Sequence, residues 1–167
     1  AKKPIGCYVI HKTDKGNLCF VVYDDRKVAI AKSWYKYKSI EETKAAIEEC
    51  RSSGRIASVE DKTKSWIEFV NHPKFELSEQ DGRYSFVMSL DSESKMIQLE
   101  KFREYEQCNK TMQTAMSAVL SERLYYAERE IVSDGQFEEK VKPETETKEE
   151  EVVATAVEEV KEEPKAT

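Results

Sequence analysis

Apolar and polar residues alternate through CYVIHKT and LCFVVY near the start of the chain, and again through KFELSEQ and RYSFVMSL past its middle. A period of two is the mark of strands that bury one face. An Asp/Gly turn joins each pair, the strongest short-range hairpin signal. In the first pair a three-residue loop, Asp14-Lys15-Gly16 with Gly16 left-handed, sets Tyr8 opposite Val22, Ile10 opposite Phe20 and Lys12 opposite Leu18. In the second, a two-residue Asp81-Gly82 loop sets Phe75 opposite Met88, Leu77 opposite Phe86 and Glu79 opposite Tyr84. The difference in loop length keeps the apolar register, because a slip of one residue would turn every core side chain to solvent.

A third strand follows each hairpin, KVAIAK (27–32) and KMIQLE (95–100), and then a helix. Ser39 with Glu42 makes a capping box for the first helix, Ile40, Ala46, Ile47 and Cys50 line one face, and Gly54 lies just past its end. The second helix is expected from an Asn109 cap, with Met112, Ala115, Met116, Val119, Leu120 and Leu124 forming a stripe that runs to about Tyr126. NLCFVVYD (17–24) and RYSFVMSLD (83–91) superpose at an offset of 66, pairing Gly16 with Gly82, Phe20 with Phe86 and Val21 with Val87. Farther on, an offset of 68 pairs Trp34 with Phe102, Tyr37 with Tyr105, Ile40 with Cys108, Thr43 with Thr111 and Ile47 with Ala115. The pattern predicts a tandem duplication within an α+β fold, with an antiparallel sheet and one helix per repeat. It consists of a β-β-β-α unit over 1–61, a connecting segment over 62–72 with SWIEFV (65–70) as an extra strand, a second unit over 73–130, and a tail over 131–167. One helix on three strands makes a very small core, so the two units are expected to pack together or to pair their sheets.

GCYVIHKTDKGNLCFVVYDDRKVAIAKS, the aromatic followed by YKSIEETKAAIEEC, and RIASVED after the helix resemble the YegP-like family, small bacterial proteins built of tandem β3-α repeats. The resemblance covers 6–61 well and 73 to about 119 more weakly, and the tail lies outside it. It implies the fold and implies no established activity, cofactor or site.

Charge changes the picture once it is partitioned. The 167-residue chain has 27 Lys+Arg and 33 Asp+Glu, a net charge of -6 that argues against a general nucleic-acid binder. Residues 138–167 hold eleven Glu and five Lys, and no aromatic residue, Gly, Cys, Leu or Ile, so the whole net acidity sits there. Such a segment buries too little surface to offset its ordering entropy and is expected to be disordered. Val153, Val157 and Val160 also have the spacing of an acidic amphipathic helix that would form on a partner. The neutral body divides at Val70 into halves of +4 and -4, so the average does not exclude anion binding by the first half. A tail folding back on that half would compete with anionic ligands. No apolar run reaches the ~20 residues of a membrane helix. AKKPIGCYVI lacks the features of a signal peptide, so a bacterial cytoplasmic protein without membrane contact is expected.

Two constellations carry candidate chemistry. In KSWYKYK, Lys32, Lys36 and Lys38 interleave with Trp34, Tyr35 and Tyr37, with Arg26 and Lys27 nearby. Cations beside flat rings suit a polyanion or a single-stranded nucleic acid. Set against this, the aromatics align with the second unit as shared core residues, while the lysines align at the same offset with Glu100, Glu104 and Glu106. The hairpin register also sets His11 opposite Cys19, beside Val9–Val21 and Cys7–Tyr23, and an imidazole next to a thiol can make a nucleophile. The second unit has Ser78 and Ser85 at those places, and no third catalytic residue is evident. Four cysteines without CxxC spacing and two histidines predict neither a metal site nor a cofactor. A non-catalytic binding module for an unknown protein or polyanion is the leading expectation, and a small thiol-dependent enzyme or redox protein the alternative. A monomer and a homo-oligomer formed by sheet-edge pairing both remain open.

Overall fold

The computed structural model describes residues 5–64, 70–91 and 93–139. Strands β1 (Cys7–Thr13), β2 (Leu18–Tyr23) and β3 (Ala29–Ser33) lead to a two-residue strand β4 (Tyr35–Lys36), helix α1 (Ile40–Gly54) and strand β5 (Ser58–Asp61). Then come β6 (Lys74–Gln80), β7 (Arg83–Leu90), β8 (Glu93–Gln98), helix α2 (Tyr105–Ala118) and β9 (Leu124–Val132). The described chain ends with a 3-10 turn (Asp134–Gln136) and a two-residue strand β10 (Glu138–Glu139). Both hairpin registers are those the alternation dictates. Gly16, at φ 85°, closes the longer loop, while Asp81 and Gly82 both take positive φ in the two-residue turn.

Eight strands form one sheet in the order β5-β6-β7-β8-β3-β2-β1-β9, mixed rather than antiparallel as expected, because the strand after each helix adds parallel to its neighbour. The two meanders therefore share a sheet, joined where β3 runs antiparallel to β8. Each strand that follows a helix crosses to the other half: β5 lies parallel to β6, and β9 parallel to β1. Ala31 faces Gln98, Lys32 faces Ile97 and Ser33 faces Met96. An offset of 65 maps these pairs onto one another and places Lys32 against its own counterpart, so an approximate two-fold axis passes between Lys32 and Ile97.

Other features fix the same offset. Ser33 Oγ accepts from the Phe20 amide at 3.3 Å, and Gln98 Oε1 accepts from the Phe86 amide at 2.9 Å. An isolated bridge joins Leu18 to Tyr37, and its counterpart joins Tyr84 to Phe102. Ser39 and Glu104 cap the two helices. The offset of 68 suggested by the sequence is thus replaced by 65 from β3 into the helices. A three-residue shift is nearly one helical turn and leaves an apolar stripe roughly in place, so periodicity alone does not separate the two. Trp34 then corresponds to Leu99 and Tyr37 to Phe102. Lys36 and Lys38 correspond to Lys101 and Arg103 rather than to Glu104 and Glu106, and only Lys32, opposite Ile97, lacks a basic counterpart.

The core lies between the helices and one face of the sheet. Tyr8, Phe20, Val22, Phe75, Leu77, Phe86, Met88 and Met96 meet Ala46, Ile47 and Cys50 of α1 and Met112 and Ala115 of α2. One core thus serves both halves, which remedies the small interior of either alone. Ser39 Oγ accepts from the Glu42 amide at 3.1 Å, as the capping box requires. Ile40 sits at the helix start with its side chain exposed instead of joining the buried face. Gly54 is the last residue of α1, and a Cβ there would come within 2.8 Å of Val119 Cγ2.

The second helix differs most from expectation. It begins at Tyr105, ahead of Asn109, and ends at Ala118, with Leu124 to Val132 drawn out into β9. Tyr8 supplies much of the reason. Its hydroxyl donates to the Val119 carbonyl at 2.6 Å and its amide to the Arg123 carbonyl at 3.0 Å. Ser121 donates to the Gly6 carbonyl at 2.8 Å. Together these bonds turn the chain out of the helix and lay it beside β1. An ordered tail segment is the second correction: residues 131–139 belong to the folded body and not to a tail. The expected disorder and helix of 140–167 lie outside the described residues, as does most of the expected strand SWIEFV, at 65–69.

Candidate functional site

Lys32 leaves the centre of β3, and the chain then steps through Trp34 into β4 and on to the Ser39 cap. Tyr37 is buried where its backbone bridges to Leu18 (2.6 and 2.8 Å), and Trp34 and Tyr35 are half-buried. Burial pushes the Tyr37 hydroxyl well above its ordinary pKa. Tyr37 thus serves the fold, and no row of ring faces is presented for stacking. Lys38 is exposed, and its amide donates to Glu42 Oε1 at 3.0 Å. Arg26 and Lys27 lie apart from this strip, in an exposed turn closed by Asp24 Oδ1, which accepts from the Arg26 and Val28 amides at 2.9 Å.

Residues 133–139 cover the strip as a strap. After β9 the chain turns at Asp134, buries Phe137 and enters β10, which runs parallel to β4 with Glu138 beside Tyr35 and Glu139 beside Lys36. The Glu138 amide donates to the Trp34 carbonyl at 2.9 Å. Lys32 Nζ donates to the Gln136 carbonyl at 3.0 Å and stands 5.0 Å from the centre of the Phe137 ring, a cation–π arrangement. Partial burial lowers the Lys32 pKa.

Asp134 anchors the strap. Lys36 pairs with its Oδ2, while Thr13 Oγ1 and Asn17 Nδ2 donate to its Oδ1 at 2.6 and 2.8 Å. Its amide donates in turn to Asp14 Oδ1 at 2.9 Å. The Lys36 ammonium first, then Thr13 and Asn17, holds this carboxyl well below the usual carboxylate range, and Asp134 in turn raises the Lys36 pKa. Three donors from β1, the hairpin loop and β4 thus converge on one carboxylate. Thr13, Asn17, Asp134 and Phe137 were missed in the sequence because they are scattered over 125 positions. Phe137, the last aromatic of the chain, was the one local signal that the body extends so far.

His11 and Cys19 face each other in the register foreseen. The thiol, however, meets the His11 backbone carbonyl, at 3.8 Å, and His11 Nε2 lies 3.2 Å from the Tyr23 hydroxyl. Burial pushes the Cys19 thiol up to about 12, the opposite of what a nucleophile requires. All four cysteines are free thiols. Among the described residues no group of His, Cys, Asp and Glu is placed to hold a metal ion, and no helix is long and apolar enough to cross a membrane.

No family model matches the chain, and no curated protein matches it. Solved structures do. The YegP protein of unknown function from E. coli superposes with a TM-score of 0.57 at 12% identity, over 75% of this chain and 96% of that one. A UPF0339 protein from Shewanella oneidensis gives 0.56 at 11% identity, over 72% and 90%. The architecture is therefore a YegP-like α+β fold, as the resemblance implied. At such identities the likeness concerns the fold alone.

Proposed function

We propose that the protein is a non-catalytic interaction module that binds an anionic ligand through the strip from Lys32 to Lys38. The observation that carries this reading is the seating of an acidic stretch of its own chain on that strip, with Asp134 on Lys36 and the Gln136 carbonyl on Lys32. Tandem duplication of the β3-α unit and residence in the cytoplasm belong to the same proposal, and β5 and β9, the outer strands of the sheet, are where copies would pair. Extended acidic polypeptide suits the strip better than nucleic acid, since Tyr37 is buried and Trp34 and Tyr35 are half-covered. Lys38, Arg26 and Lys27, all exposed, would add attraction at longer range.

Titration of the full chain with poly-L-glutamate tests the proposal. Binding should appear at about 50 mM salt and weaken at least tenfold by about 300 mM, as expected of screened charges. Replacing Lys32, Lys36 and Lys38 together by Ala should remove it. No binding at low salt, or binding indifferent to salt and to these lysines, refutes the reading.

A further inference from the structure

The strip and its strap together resemble a peptide-binding site with its peptide in place. Building on the anionic-ligand reading above, we propose that the Thr13–Asn17–Lys36 cradle and the β4 edge form a docking site for an extended acidic segment of another protein. That segment would carry an Asp, an aromatic residue three positions on and acidic residues after it, and residues 133–139 are the resident copy of this ligand.

Four features argue for recognition of a peptide rather than of charge alone. Asp134 is nearly completely buried, and its two carboxylate oxygens are shared among Thr13, Asn17 and Lys36, so the cradle is fitted to a carboxylate. Part of the cradle is held by the hairpin itself, because the backbone amide of Asn17 donates to Thr13 Oγ1 at 3.0 Å within the loop. Strand pairing of β10 with β4 supplies main-chain bonds that a peptide can make and a nucleic acid cannot. Phe137 is buried, 5% exposed, with the Lys32 ammonium 5.0 Å from the centre of its ring.

The equivalent positions in the other half lack this set. Thr13, Asn17 and Lys32 correspond there to Gln80, Arg83 and Ile97, and only Lys36, matched by Lys101, keeps its charge. No strand among the described residues pairs with 99–101. The site is thus particular to the first half and is not a by-product of the fold. Because the strap is part of the chain, a partner competes against a ligand held at high effective concentration, and its apparent affinity falls by the fraction of chains that are open.

The test uses the full chain and a labelled synthetic peptide, SDGQFEE, with fluorescence anisotropy as the readout. Two variants loosen the strap, Asp134→Asn, which keeps the shape of the side chain, and Phe137→Ala, with circular dichroism to show that each is folded. The peptide should bind both variants at least tenfold more tightly than it binds the natural chain. Adding Lys36→Ala to either should abolish the gain, and a peptide with Asn for its Asp should bind at least tenfold more weakly. Equal affinity for natural and loosened chains, or a gain indifferent to Lys36 and to the peptide's Asp, overturns the inference. A single-stranded oligonucleotide that gains as much as the peptide from loosening would also overturn it. If poly-L-glutamate still binds in a salt- and lysine-dependent way while the peptide does not respond, this inference alone fails. If neither ligand binds any of the chains, the anionic-ligand reading falls with it.

Discussion

The two halves of the sheet are built on one plan and finished differently. After β3 the chain passes through Trp34, Tyr35 and Lys36 and is covered by residues 133–139, whereas after β8 it passes through Leu99, Glu100 and Lys101, all exposed. The backbone bridges that begin the two helices are the same, Leu18 to Tyr37 and Tyr84 to Phe102. The bridges that precede the helices are therefore common to both halves, and only the first half has Lys32, the carboxylate cradle and the strap. A feature confined to one of two equivalent places is a better guide to function than one that both share, because shared packing explains the latter.

The difference is open to attack in several ways. Removing the Phe137 ring should have the largest effect. Phe137→Ala is expected to cost about 3 kcal/mol, the lower end for a buried phenylalanine. Leu99→Ala on the bare edge should stay within about 0.5 kcal/mol, the usual range for exposed positions. Urea unfolding of the two variants checks the contrast.

Acid should come next. The folded Asp134 carboxyl has a pKa below its unfolded value, so over the window between the two the unfolded chain binds more protons than the folded one. Its stabilising contribution is fully present above about pH 5, the upper side of the ordinary carboxylate range, and is lost as pH falls through the folded value. The natural chain should have a higher urea midpoint than Asp134→Asn near neutrality, and the gap should close steadily below about pH 4. A gap constant from pH 7 to pH 2.5 would mean that Lys36, Thr13 and Asn17 do not hold a carboxylate.

Lys32→Ile makes the centre of the sheet nearly symmetric, isoleucine against isoleucine across the two-fold. Stability should change by less than about 1 kcal/mol in urea unfolding, the range of a substitution that leaves the core intact. Binding of poly-L-glutamate should weaken nonetheless, which separates the role of this lysine in recognition from any role in folding. The smallest effect belongs to the thiols. Brief labelling of the native protein at pH 8 should modify the half-exposed Cys7 and leave Cys19, Cys50 and Cys108 untouched, as their burial requires. Rapid reaction at Cys19 would revive the thiol-dependent reading.

Much of this could be read from the residues. Alternation and turn chemistry set both hairpin registers pair by pair, since only one register buries Tyr8, Ile10 and Phe20 together. Lys32 and Lys36 stand out in the sequence through their aromatic neighbours and through an alignment with Glu100 and Glu104 that the offset of 65 does not keep. The end of α2 was hidden because LYYAEREIV does not alternate, and what draws it into a strand is the company of β1 and the hydroxyls of Tyr8 and Ser121, 111 and 115 residues away along the chain from their acceptors. The strap was hidden by composition. Asp134 and the two glutamates of β10 read as the start of an acidic tail, and nothing local shows that Thr13 and Asn17, some 120 positions earlier, are waiting for a carboxylate.

Hydrogen exchange on the full chain, followed segment by segment with and without a saturating acidic ligand, bears most directly on the claim that the strap and the ligand share one site. The amide of Glu138, bonded to the Trp34 carbonyl, reports on the closed strap. Ligand should speed exchange across 133–139 while 34–37 stays protected, because one strand replaces another on β4. If 133–139 keeps its protection when ligand is bound, the two do not compete and the account is wrong.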